Sequence, residues 1–461
     1  MVIGGPAISA LQDCAREASP TVEGMTFPTL DDLLRLPVTT PTAVSLTALA
    51  AVLGGTAFGV LVLLAQGPLE WVSELPPQAA ACVVAGGAAL GVALANLIGA
   101  TPWRRVGALA AVPALVVVTA LGVNGVYGIN PTLGALVGRP VVDTLQLPPV
   151  GPAPTAQAAG GSSHAARGAR PTDQAGPRKT QAPKPLYSTW KAPADLPAQG
   201  RTGAVDIPPT RWGFVARRAA VYLPPAALVA NAPVLSVVVF MMGQPGSPDP
   251  SFIATALDRL AARHHGLAPI AVVVDQIGRP DTDTMCLVSA RFGKVRTYVN
   301  VDVPAWIHSH LRVRTDRAGW TVAGYSLGGG CAQGYLPRYL DTWGSGIAIS
   351  GEEFPGSDRP VRTLTEMFRG DRAAYEAVKP VNLLAAAKPI KDTLVVATTC
   401  ADAPADVTSA RRVQAAAAKA GARTVLHVFP TGGHILPALR QGLDAGLATL
   451  YPWWGLAPTA R

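Results

Sequence analysis

Gly324-Tyr325-Ser326-Leu327-Gly328-Gly329 sets a hydroxyl between two glycines in a G-x-S-x-G element. The preceding Trp320-Thr321-Val322-Ala323 reads as a strand, and a helix is predicted to begin directly after the serine. A strand that turns so sharply into a helix needs glycine, because the backbone angles are unusual and the two backbones nearly touch. Such a turn lifts the Ser326 oxygen above a sheet and places it at a helix N-terminus, where the dipole favours an anion. The chemistry implied is nucleophilic attack on an acyl carbon. A Gly-rich packing turn is the alternative without chemistry.

A serine hydroxyl needs a base. Of the seven histidines, His164 lies in a Pro/Ala/Gly-rich stretch, His264 and His265 close a predicted helix, and His427 falls within a predicted strand. His308 and His310 have no carboxylate or third ligand at useful spacing, so no metal is expected. His434 follows Pro430-Thr431-Gly432-Gly433, between the last predicted strand and the last predicted helix. A loop there can carry an imidazole to the nucleophile. The acid that orients this ring comes between serine and histidine in chain order when the serine sits on such a turn. Asp402, just past a predicted strand at 393–398, is the first choice; Asp406, which also suits a helix start, and Glu352 are alternatives. The oxyanion of an acyl-transfer intermediate needs two donors. These are assigned to the backbone amides of Leu327 and of Gln244, the latter in Met242-Gly243-Gln244-Pro245-Gly246. This set requires no cofactor.

Positioning these groups falls to alternating strands and helices. Strands are predicted at 219–223, 235–241, 270–275, 320–324, 346–350, 393–398 and 424–429, with helices at 251–263, 303–311, 405–420 and 436–450. Such alternation implies a mostly parallel sheet covered on both faces.

Three uncharged apolar runs, 42–65, 78–100 and 106–127, precede this unit, each long enough to cross a bilayer as a helix. The first 40 residues carry no pattern of a cleavable signal peptide. Glu70 and Glu74 lie in the first short loop, Arg104 and Arg105 in the second. Positive loops stay cytoplasmic, so the N-terminus is expected inside and everything after the third span outside.

The net charge of +9 is concentrated in a Pro/Ala/Gly-rich stretch. Seven basic residues against two acidic ones lie between 151 and 201, in a segment with little to bury. A basic tether near anionic lipid or cell-wall polymer fits this better than nucleic acid, for which no aromatic-basic motif is present. The five cysteines have no metal spacing. They read as buried thiols, with a Cys286–Cys400 disulfide as the alternative.

From about 213 to 454 the chain resembles the esterase-like family of α/β-hydrolases that includes the antigen 85 mycolyltransferases and S-formylglutathione hydrolase. The resemblance rests on Ala219-Ala220-Val221-Tyr222-Leu223-Pro224-Pro225, on Thr297-Tyr298-Val299-Asn300-Val301-Asp302-Val303-Pro304, on 320–329 and on Gly433-His434. It is most similar to actinobacterial members anchored by preceding transmembrane helices. The resemblance implies an acyl-enzyme mechanism with Ser326 and His434 at matching positions, and Asp402 as the esterase-type acid. Antigen 85 proteins take a glutamate from the following helix, where 409–420 offers no carboxylate here, and they are secreted through cleavable signals.

The expected architecture is a cytoplasmic segment (1–41), three transmembrane helices (42–127), a juxtamembrane segment and linker (128–200) and an α/β-hydrolase domain (201–461). The expected activity is extracytoplasmic hydrolysis of a lipid or cell-envelope ester. The alternatives are acyl transfer onto envelope glycans or glycolipids and a non-catalytic envelope interaction protein.

Overall fold

The computed structural model describes residues 41–66, 75–97, 102–128, 143–147 and 184–459, except 211, 212, 281 and 388. The expected N-terminal segment, most of the first loop with Glu70 and Glu74, and the tether over 148–183 lie outside the described residues.

Eight strands form one sheet: β1 (Arg201–Val205), β2 (Ala219–Leu223), β3 (Val237–Met241), β4 (Ile270–Val274), β5 (Trp320–Tyr325), β6 (Ser345–Ile349), β7 (Leu394–Cys400) and β8 (Arg423–Phe429). Their spatial order is β1-β2-β4-β3-β5-β6-β7-β8. β2 pairs antiparallel with both β1 and β4, and every other neighbouring pair is parallel. This is the α/β-hydrolase order. Strands β2 to β6 are buried along their whole length, which is why they read as near-continuous apolar runs. β1 was not among the predicted strands. Its Arg-Thr-Gly-Ala-Val sequence is half exposed and gains its conformation from pairing with β2.

After three apolar helices nearer the N-terminus, α4 (Ser251–Arg263), α5 (Val303–His310), α6 (Leu327–Tyr335), α7 (Pro360–Phe368), α8 (Pro404–Lys419) and α9 (Leu436–Leu450) follow in the hydrolase part. α9 packs across β6 and β7, with Gly442 pressed onto Ile349 and Thr398. The folded unit extends upstream of β1. Trp190 donates its indole N–H to the His265 carbonyl at 2.9 Å, and Leu145 N–H donates to the Ala204 carbonyl at 3.0 Å.

α1 (Pro41–Gln66), α2 (Pro77–Ala95) and α3 (Pro102–Tyr127) are long and apolar enough to cross a membrane. Gly87 and Gly91 let α2 approach α1 so closely that a Cβ at Gly91 would strike the Ala50 carbonyl, the small-residue contact expected where lipid offers no hydrophobic drive between helices. Near one end of α3, Arg104 donates to Asn96 Oδ1 at 2.7 Å. At the other end, Tyr127 packs against the hydrolase core and Gly128, in the left-handed region at φ +64°, abuts Leu436.

Candidate active site

Ser326 sits where β5 turns into α6, with φ +53° and ψ −121°. A non-glycine residue held there is strained, and it persists because its surroundings fix it. Ser326 N–H donates to the Ile349 carbonyl at 2.9 Å, and Gly330 N–H donates to the Ser326 carbonyl at 3.0 Å. The flanking glycines are steric necessities: a Cβ on Gly324 would collide with the Gly328 backbone, and one on Gly328 with the Met241 carbonyl.

His434 leaves the loop after β8 and meets the serine. Its Nε2 lies 2.7 Å from Ser326 Oγ, across 108 residues of chain. Its Nδ1 lies 2.7 Å from Asp406 Oδ2. The imidazole is therefore bridged between a hydroxyl and a carboxylate, and its side chain remains 36% exposed. The ring centroid is 5.5 Å from that of the buried Tyr325.

Asp402 is not at the ring, a correction to the expected acid. Strand β7 continues to Cys400, two residues beyond its predicted end, so Asp402 falls in the tight connection to α8. There it accepts from the Gly432 and Gly433 amides at 3.0 and 2.8 Å. Both glycines have positive φ, +146° and +56°, and Asp402 shapes the loop that carries His434. Asp406 lies in the first turn of α8, where its side chain reaches the imidazole. The signal for Asp406 was the helix start at Pro404, which puts that acid one turn above the sheet edge.

Glu352, the other alternative, stands apart from His434 in a cluster with Asp283, Asp358 and Arg359. Burial pushes its carboxyl well above the usual carboxylate range, and the Asp283 and Asp358 charges add to this against the pull of Arg359. Asp283 itself is ion-paired with Arg359.

Of the two expected oxyanion donors, Leu327 directly follows the serine. Leu327 opens α6 and is buried, and Gln244 lines the cavity that contains Ser326. The Gly243 Cα faces Ser326 so closely that a Cβ there would stand 3.1 Å from the serine Cβ. The loop is braced from behind. Gln276 donates its side-chain amide to the Met242 carbonyl, and Gly246 N–H donates to the Gly243 carbonyl at 2.8 Å. The Arg217 guanidinium donates to the Gly246 carbonyl at 3.0 Å and to the fully buried Asp275 at 2.8 Å. None of Gln276, Asp275 or Arg217 was singled out from the sequence, because their roles depend on neighbours far away in the chain.

A disulfide joins Cys286 to Cys331 in α6, with Cα atoms 5.5 Å apart. Neither the buried-thiol reading of these two cysteines nor the Cys286–Cys400 pairing holds. Cys400 is a buried free thiol whose pKa burial raises to about 11. Among the described residues, no cluster of His, Cys, Asp or Glu could hold a metal ion. His310 stacks on Trp306 and His308 leans on Trp320.

No family model matches the chain. A protein of Corynebacterium glutamicum, described as uncharacterized, is 37% identical over 176 residues, covering 37% of this chain and 41% of that protein. The chain thus spans about two-fifths of the length of the curated relative it matches. Among solved structures, a ferulic acid esterase superposes with a TM-score of 0.46 at 18% identity, covering 57% of this chain and 100% of that one. An S-formylglutathione hydrolase from Agrobacterium tumefaciens gives 0.45 at 17% identity, covering 56% and 98%. The fold assignment rests on strand order and on the turn at Ser326.

Proposed function

We propose that the chain is a membrane-anchored serine esterase that acts on a lipid or cell-envelope ester. One observation carries this reading: Ser326 Oγ, the His434 ring and Asp406 are linked in a row by two contacts of 2.7 Å each. In the proposed reaction the Ser326 oxygen bonds to the ester carbonyl carbon as its proton passes to His434 Nε2. The Leu327 and Gln244 amides hold the resulting oxyanion. Collapse breaks the carbon–oxygen bond to the alcohol, which leaves with the proton from His434, and Ser326 keeps the acyl group. Water, deprotonated by the same ring, then releases the acid and restores the serine. Asp406 holds the ring in the tautomer that presents Nε2 to the hydroxyl.

Two features support a catalytic unit on the outer side of the membrane. Arg104 and Arg105 cluster at the end of α3 remote from Tyr127, and positive ends stay cytoplasmic. The Cys286–Cys331 disulfide suits an oxidising compartment. In this reading 42–127 anchors the protein, 128–200 connects and 201–461 catalyses.

The test is hydrolysis of nitrophenyl esters by the full chain in detergent. A burst of nitrophenol equal to the enzyme concentration, lost in Ser326→Ala, is expected. Turnover that persists in Ser326→Ala would refute the assignment.

A further inference from the structure

The same cavity that contains Ser326 and His434 runs on among the apolar helices. It holds about 1600 Å³, and its lining includes Val83 and Leu90 of α2 and Leu115 and Val123 of α3. A surface esterase tethered by inert spans would have no reason to share a cavity with them. Here the end of α3 is packed onto the hydrolase core through Tyr127 and onto α9 through Gly128, so the helices form part of the site wall.

The two halves of this wall differ in chemistry. Helix residues supply mostly apolar surface, interrupted by Gln78, Thr119 and Asn124, and the hydrolase part supplies acidic groups, among them Glu353, Asp358, Asp402 and Asp406. Arg412, which also lines it, is ion-paired with Glu353 at 3.1 Å. An anionic phosphate would be repelled beside these carboxylates. From Leu115 to Tyr127 the α3 wall measures about 18 Å at ~1.5 Å per residue, the reach of an extended chain of roughly fourteen carbons. The outer faces of the same helices are exposed apolar surface, as at Val117, which is 55% exposed.

We infer that α2 and α3 form the acyl-chain site of the enzyme: a long chain of an uncharged membrane lipid ester, an acylglycerol or acylated sugar, lies between them with its carbonyl at Ser326. This rests on the esterase reading and names its substrate class. The lipid enters from the bilayer, where its chain already resides.

Two measurements on the full chain in nanodiscs test it. For hydrolysis of nitrophenyl butyrate and nitrophenyl palmitate, Leu115→Trp, at the far end of the wall from Tyr127, should lower kcat/KM on palmitate at least tenfold more than on butyrate. Val117→Trp, outside the cavity, should change neither. Equal losses on both esters, or no loss on palmitate, would overturn the proposal, and retained butyrate activity shows that the variant is folded. The second measurement needs no turnover. A palmitoylglycerol carrying a diazirine in mid-chain should crosslink the Ser326→Ala protein at residues of α2 and α3 that line the cavity. Crosslinks confined to outward positions such as Val117 would overturn it. If Ser326→Ala still hydrolysed nitrophenyl butyrate, the esterase reading would fall by itself, and the crosslink map would still decide the chain site.

Discussion

The Asp406 carboxylate lies 2.7 Å from His434 Nδ1, on the side of the ring opposite Ser326. Asp402, four residues earlier, takes the Gly432 and Gly433 amides instead. One acid faces the ring, and the other builds the loop that holds it.

These two placements separate the effects of mutation. Asp406→Asn should reduce kcat on the order of 10,000-fold, because the ring loses the partner that fixes its tautomer and stabilises its charged form. Asp402→Asn should cost far less, about tenfold, through a looser loop. Steady-state ester hydrolysis by both variants checks this, and a reversed ranking would return Asp402 to the ring.

The brace behind the Gln244 loop predicts a defect in turnover more than in binding. Gln276→Ala removes the donor to the Met242 carbonyl and lets the loop shift. A misplacement of one ångström near the reacting centre can cost roughly 100-fold. A fall in kcat of about 10- to 100-fold with KM little changed is expected from initial rates. An unchanged kcat would show that the loop holds its place without Gln276.

Glu352 predicts a pH dependence of stability. Its carboxyl titrates well above the ordinary 4.5 in the folded protein. Between those two values the folded state binds more protons than the unfolded state. Stability therefore falls as pH rises through that window and stays lower above it. Glu352→Gln removes this loss: the variant should match the parent near pH 4 and melt higher at pH 8. Thermal unfolding across pH reads the effect directly, and parallel curves would contradict it.

The disulfide between Cys286 and Cys331 closes a loop with a sequence separation of 45. Chain-entropy reasoning gives such a link about 4 kcal/mol, which corresponds to a fall in melting temperature of about 10 °C for a domain of this size. Melting with and without reductant measures it. A melting point indifferent to reductant would show that the link does not carry this stability.

The sheet was legible because its central strands are continuous apolar runs ending in turn residues, and Ser326 because a strand, a glycine pair and a helix coincide there. His434 was legible by elimination, as a histidine in a Gly-rich loop before the last helix. What stayed hidden depends on distances that sequence does not encode. β7 runs two residues further than its pattern suggested, one full strand repeat, which leaves Asp402 in the tight turn and Asp406 in the first turn of α8, where it reaches the ring. Cys331 meets Cys286 through the packing of α6 on a loop of irregular structure. β1 is a strand because β2 offers it an edge.

The pairing of Ser326 with His434 is tested most directly by a fluorophosphonate, which phosphonylates an activated serine with loss of fluoride. The purified full chain should acquire one adduct, mapped by peptide mass spectrometry to the segment containing Ser326. Ser326→Ala should acquire none, and His434→Ala should label slower on the order of 100-fold or more, since the base that activates the hydroxyl is gone. Labelling of the Ser326→Ala protein at the parent rate, or labelling unaffected by loss of His434, would contradict the assignment of these two residues.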